Sequence, residues 1–171
     1  MPLITTELHD GIGTLTMADA QRRNALSRAL TAEMVAGLDD FRARGARVVI
    51  VRALKAVKVW SAGYDIAELD DVRRDALGSS DGIRALIRGI EDFPGVVIAL
   101  LEGSVFGAAC ELAMVCDLAV ATPDVGFAIT PAKLGGPYNL GGLLTVLNMI
   151  PLPVAKEMLF TAQPIPVAQA L

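Results

Sequence analysis

The sequence predicts an α/β fold, and three observations carry that prediction. Short runs rich in β-branched residues, "ARVVIVRAL", "GVVIALLEG" and "DLAVATP", alternate with segments of helical periodicity. Alternation of this kind argues for right-handed βαβ crossovers. The chain has 171 residues, of which 53% are hydrophobic, and no repeat or interior linker, so one domain over residues 1–171 is expected.

The elements follow in order. "LITTEL" and "IGTLTM" alternate as strands around "ELHDGIG", a polar tip with two glycines that reads as a hairpin turn. "SRALTAEMVAGLDDFRA" places Leu30, Met34 and Leu38 on one helical stripe, and either Asn24 or Ser27 can cap its start. "ARVVIVRAL" reads as a buried strand. "SAGYDIAELDDVRR" reads as a turn entering a helix, with Asp65 and Glu68 at capping-box spacing. "DGIRALIRGIEDF" is a helix that ends near Pro94, and "GVVIALLEG" a second buried strand. "AACELAMVC" is a helix, "DLAVATP" a third core strand and "GFAITP" a fourth strand. Glycines and prolines crowd residues 135 to 142, "VAKEMLFTA" is a helix, and "IPVAQAL" starts another.

Composition narrows the function. A formal charge of -4 and a pI near 4.9 argue against a nucleic-acid-binding face. The longest apolar run, Gly95 to Leu101, falls well short of the ~20 residues that span a bilayer, so the mean hydropathy of +0.51 points to a core or a subunit interface and not to a membrane. "MPLITTELHDG" lacks the basic start and apolar run of a signal peptide. Cys110 and Cys116 have no zinc-ligand spacing and read as buried reduced thiols, which fits a cytoplasmic protein. The single histidine, His9, lies in the hairpin tip. A Ser-His-Asp or Cys-His device is therefore not expected, nor is a metal site. Any chemistry falls to carboxylates, tyrosine hydroxyls or backbone amides.

One stretch combines such groups. "EGSVFGAACELAMVCD" runs off a strand, turns at glycine and enters a helix. The first helical turn carries amides without an intrahelical acceptor, backed by the positive end of the helix dipole. Donors of that kind suit a developing oxyanion. Gly107, Ala108 and Ala109 let a ligand approach the backbone, and Glu111 shares a helix face with Ala108. Burial would raise the pKa of Glu111 and suit it to moving protons, unless it serves only to satisfy a buried partner. "VWSAGYDIAEL" repeats the pattern through Ser61, Ala62 and Gly63, and offers a second amide at Tyr64.

"SAGYDIAEL", "EGSVFGAACELAMVCDLAVAT" and "FAITPAKLGGPYNLGG", in this order and near these separations, resemble the crotonase (enoyl-CoA hydratase/isomerase) superfamily, and "RRNALS" also fits. The resemblance spans residues 3 to 171. It implies a ββα spiral core and acyl-CoA thioester substrates, with coenzyme A arriving as part of the substrate and no permanently bound cofactor. It also implies a homo-oligomer, a trimer or dimer of trimers, whose C-terminal helices would follow where this chain stops.

Carried over residue by residue, the resemblance makes the amides of Tyr64 and Ala108 an oxyanion hole for a thioester enolate. Glu111 falls where the hydratases carry one catalytic glutamate. Ala132 falls where they carry the second, which counts against ordinary hydration or isomerisation. Coenzyme A contacts are implied for Arg22, Arg23, Ala25, Ala62, Asp65, Ile66 and Gly107, and Lys58 is a further candidate for its phosphates. "ITPAKLGGPYNL" matches the branch that decarboxylates malonyl-type thioesters such as methylmalonyl-CoA, and brings Thr130 and Tyr138 into the pocket to orient the departing carboxylate. Glu111, through water, would then protonate the enolate. The alternatives are a hydratase or isomerase, and a non-catalytic crotonase-like binding or assembly protein.

Overall fold

The computed structural model describes residues 2–68, 81–135 and 138–170. β1 (Ile4–His9) and β2 (Ile12–Met17) form the expected hairpin. Its central residues, Asp10 and Gly11, both have positive φ, as a two-residue turn between twisted strands requires. α1 (Arg28–Ala43) follows, capped by Ser27, whose Oγ accepts from the Leu30 amide. Asn24, the other candidate cap, is instead buried in the loop before it. Leu30, Met34, Leu38 and Phe41 form the buried stripe.

Three successive units then share one plan. β3 (Val48–Ala53) is followed by β4 (Val59–Ser61), β5 (Val96–Leu101) by β6 (Ser104–Phe106), and β7 (Leu118–Ala121) by β8 (Gly126–Ala128). The first strand of each unit joins a five-stranded sheet of order β1-β2-β3-β5-β7. The second strand joins a four-stranded sheet that starts β4-β6-β8. α2 (Asp81–Glu91) lies between the first two units, and α3 (Ala108–Met114) between the second and third. Pairing is parallel from β2 to β7 and from β4 to β8. This alternation between sheets is the ββα spiral that the resemblance implied.

The remaining elements are α4 (Leu140–Met149), α5 (Leu152–Thr161), β9 (Ile165–Pro166), which pairs antiparallel with β8, and α6 (Val167–Ala170). One core joins both sheets and the helices, from Leu15 and Phe41 to Trp60, Leu101, Leu112 and Phe127. Among the described residues no helix is long and apolar enough to cross a membrane.

Some expectations need correction. "DLAVATP" is not a core strand. β7 is the edge of the large sheet, with Leu118 and Val120 more than half exposed, because no second neighbour pairs with it among the described residues. β3 and β5 likewise bury one face only. "EGSVFG" does not pass directly into a helix: a bend at Glu102 and Gly103 starts β6 first. The Asp65–Glu68 capping box does not close. Asp65 Oδ1 accepts from the Ala67 amide at 3.0 Å, but Glu68 Oε2 accepts from the Arg28 amide at 3.1 Å. That stretch is a short 3-10 helix over Ile66–Glu68, and the remainder of the expected helix lies outside the described residues. The glycine-rich stretch, to which no element was assigned from sequence, contains the start of α4, capped by Asn139, whose Oδ1 accepts from the Gly142 amide at 2.8 Å.

Candidate active site

The two strand–turn–helix turns meet at the C-terminal ends of β4 and β6. Gly63 (φ +80) packs so closely on the next turn that a Cβ there would collide with the Phe106 carbonyl oxygen and stand 2.9 Å from the Ala108 nitrogen. Only a residue without a side chain permits this approach. Gly107 (φ +56) faces back toward Gly63, whose Cα would lie 3.9 Å from a Cβ at 107. Thr130 reaches the same place, with Oγ1 4.0 Å from that Cβ position. The Ala108 amide opens α3, and Gly107 provides no side-chain cap there.

The loop "RRNAL" is stitched to the first turn. The Ala62 amide donates to the Arg23 carbonyl at 2.9 Å, and the Leu26 amide to the Gly63 carbonyl at 2.7 Å. Asn24 Nδ2 donates to the Trp60 carbonyl at 2.9 Å, and Ser61 Oγ to the Asn24 carbonyl at 2.7 Å. Arg22, Arg23, Ala25, Ala62, Asp65 and Ile66 are thereby gathered at one edge. Arg22 is 61% exposed and pairs with the mostly buried Asp65 at 3.1 Å. Ile66 is exposed, whereas Ala25 is buried. Lys58 immediately precedes β4, with its backbone beside the Gly103 bend.

Glu111 is fully buried one turn along α3 from Ala108. Arg84 of α2 donates to its Oε1 at 2.6 Å. Its Oε2 has no hydrogen-bond partner among the described residues, and neither does the buried Tyr138 hydroxyl. The two groups flank one point. A Cβ at Gly142 would lie 2.7 Å from Glu111 Oε2 and 2.9 Å from the Tyr138 ring. Burial pushes the Glu111 carboxyl up, while the Arg84 guanidinium pulls it down. Burial likewise pushes the Tyr138 phenol well above its usual value, so it stays a hydrogen-bond donor.

The structure thus brings Tyr64, Gly107, Ala108 and Thr130 to one turn pair, and Glu111 and Tyr138 to the helix face below it. Ala132 is exposed in the 3-10 helix Pro131–Leu134 that follows Thr130. Arg84 is the residue that sequence reasoning missed. The signal available was only that a buried Glu111 needs a cation, and a partner 27 residues away leaves no local pattern. Cys110 and Cys116 are buried free thiols, each pushed up to about 12 by burial. Among the described residues no group of three His, Cys, Asp or Glu side chains could hold a metal ion.

Strands dealt alternately to two sheets, with two glycine turns facing each other over a buried carboxylate, define a spiral-core α/β protein with a backbone-lined site. Residues 7–171 match the enoyl-CoA hydratase/isomerase family, and the chain belongs to that family, within the crotonase superfamily. It is 39% identical over 151 residues to methylmalonyl-CoA decarboxylase of Escherichia coli (strain K12), covering 88% of this chain and 58% of that protein. It is 31% identical over 168 residues to the human mitochondrial enoyl-CoA hydratase domain-containing protein 3, covering 95% of this chain and 54% of that one. A solved structure of methylmalonyl-CoA decarboxylase in complex with 2-nitronate-propionyl-CoA superposes with a TM-score of 0.93 at 34% identity, over 98% of this chain and 65% of the other. The chain therefore spans less than two thirds of the length of these relatives.

Proposed function

We propose that this chain carries the catalytic core of an acyl-CoA enzyme that decarboxylates a malonyl-type thioester such as methylmalonyl-CoA. The observation that carries the reading is the contact between the two turns, which sets Gly63 against the Ala108 amide. In this reading the amides of Tyr64 and Ala108 donate to the thioester oxygen. Charge develops there as the bond between the α-carbon and the carboxylate breaks, CO2 leaves, and the electron pair passes into the enolate. Thr130 and Tyr138 orient the carboxylate across that bond. A proton delivered to the α-carbon, from Glu111 through water, completes the reaction.

The first relative's name supports decarboxylation, and so does Ala132, which supplies no second carboxylate to activate water for hydration. Arg22 and Arg23 are assigned to the coenzyme A phosphates. A cytoplasmic homo-oligomer belongs to the same reading, carried by composition and family resemblance and not by geometry. Incubation with methylmalonyl-CoA and with crotonyl-CoA, read by mass spectrometry, tests it. Loss of CO2 from the first, abolished by Tyr138→Phe, supports the proposal. Hydration of the second points to the hydratase alternative, and binding without turnover of either to a non-catalytic module.

A further inference from the structure

The mechanism above leaves one half-buried side chain without a role. Arg84 leaves α2 and crosses the first turn of α4. Its Nη2 donates both to Glu111 Oε1 at 2.6 Å and to Asn139 Oδ1 at 2.7 Å. The same Asn139 oxygen accepts from the Gly142 amide at 2.8 Å. One guanidinium nitrogen therefore ties the helix that carries the glutamate to the cap of the helix beside Tyr138.

The glycines of "YNLGG" are the imprint of this arrangement. A Cβ at Gly141 would collide with both Nη atoms of Arg84, and one at Gly142 would lie 2.7 Å from Glu111 Oε2. Glycine inside a helix costs about 1 kcal/mol relative to alanine. Two in succession at the start of α4 give the guanidinium and the carboxylate access to the backbone.

The charges around Glu111 assign the rest. Arg84 and Glu91 act on it from α2, Cys110 neighbours it on its own helix, and Tyr138 faces it from the segment before α4. Of the charges acting on it, Arg84 is the one that favours the carboxylate, and Glu91 opposes it.

We propose that Arg84 is a positioning residue for Glu111: it occupies Oε1, leaves Oε2 as the free acceptor toward Tyr138, and sets the pH at which the carboxyl takes up a proton. Its importance for turnover rests on the acyl-thioester reading of the site. There, the guanidinium would also offset a buried negative charge that otherwise repels the substrate carboxylate.

The test needs no substrate. Glutamate carrying 13C at the carboxyl carbon gives a resonance for Glu111, identified by its loss in Glu111→Gln, that can be titrated by NMR. Arg84→Met should move the midpoint upward by about 1 to 3 pH units, the range expected for losing an adjacent arginine. Arg84→Lys should bring it most of the way back. An unchanged midpoint in Arg84→Met overturns the proposal. If that variant does not fold, Arg84→Gln keeps a donor without the charge and is read in the same way. Because no thioester is present, a failure of the decarboxylase reading leaves this result standing, and a failure here leaves that reading untouched.

Discussion

The turn at Gly63 and the turn at Gly107 look alike in sequence, but the structure uses glycine differently in each. Both follow the second strand of a ββ unit, and both glycines have positive φ. Around Gly63 there is no room: a Cβ would strike backbone atoms of the other turn. Around Gly107 there is room, since its nearest neighbours would be 3.9 Å and 4.0 Å away. The first glycine is required by contact and conformation together, the second by conformation alone. The site is thus assembled by pressing one turn onto another, and the contact leaves no room for a side chain at Gly63.

That difference can be broken by substitution. Gly63→Ala should have the largest effect. A left-handed backbone costs an alanine about 1–2 kcal/mol, and overpacking adds about 1–3. Displacing the Ala108 amide should also lower turnover by about 10² or more, the effect of losing one oxyanion donor. Thermal unfolding and steady-state kinetics check both. Gly107→Ala, forced into a backbone conformation at φ 56 and ψ -126 that side chains rarely adopt, should lose about 1–3 kcal/mol in the same unfolding assay, with no collision to add. Equal losses at the two positions would erase the contrast.

The smallest effect concerns the carboxylate beneath the turns. Burial holds the Glu111 carboxyl above its ordinary value of 4.5 in the folded chain. The folded chain therefore binds more protons than the unfolded chain in that window. Stability from this group is fully present below 4.5 and is lost as pH rises through the folded value. Gln does not titrate. The stability of Glu111→Gln relative to the native chain should therefore shift in favour of Gln as pH rises above 4.5. Chemical denaturation across pH measures it, and a flat difference would contradict the shift.

The two halves of the site were unequally legible. The turns announce themselves locally, because small residues between an apolar run and a capping residue leave a pattern within a dozen positions. The spiral did not, since β6 is three residues long and carries no usable periodicity. α4 was obscured because glycines and prolines crowd residues 135 to 142, although Asn139 and the leucines after it are a helix start. Gly141 and Gly142 answer to Arg84 and Glu111, which are distant in sequence. β7 read as core because its composition is apolar, but exposure at a sheet edge depends on whether a neighbouring strand exists.

The account rests on two amides sharing one oxygen. A crystal structure of the chain with an unreactive acyl-CoA thioester analogue tests this directly. The thioester oxygen should lie about 2.7–3.1 Å from both the Tyr64 and the Ala108 nitrogens. A bound analogue whose carbonyl oxygen reaches neither nitrogen, or only one of them, would contradict the proposal.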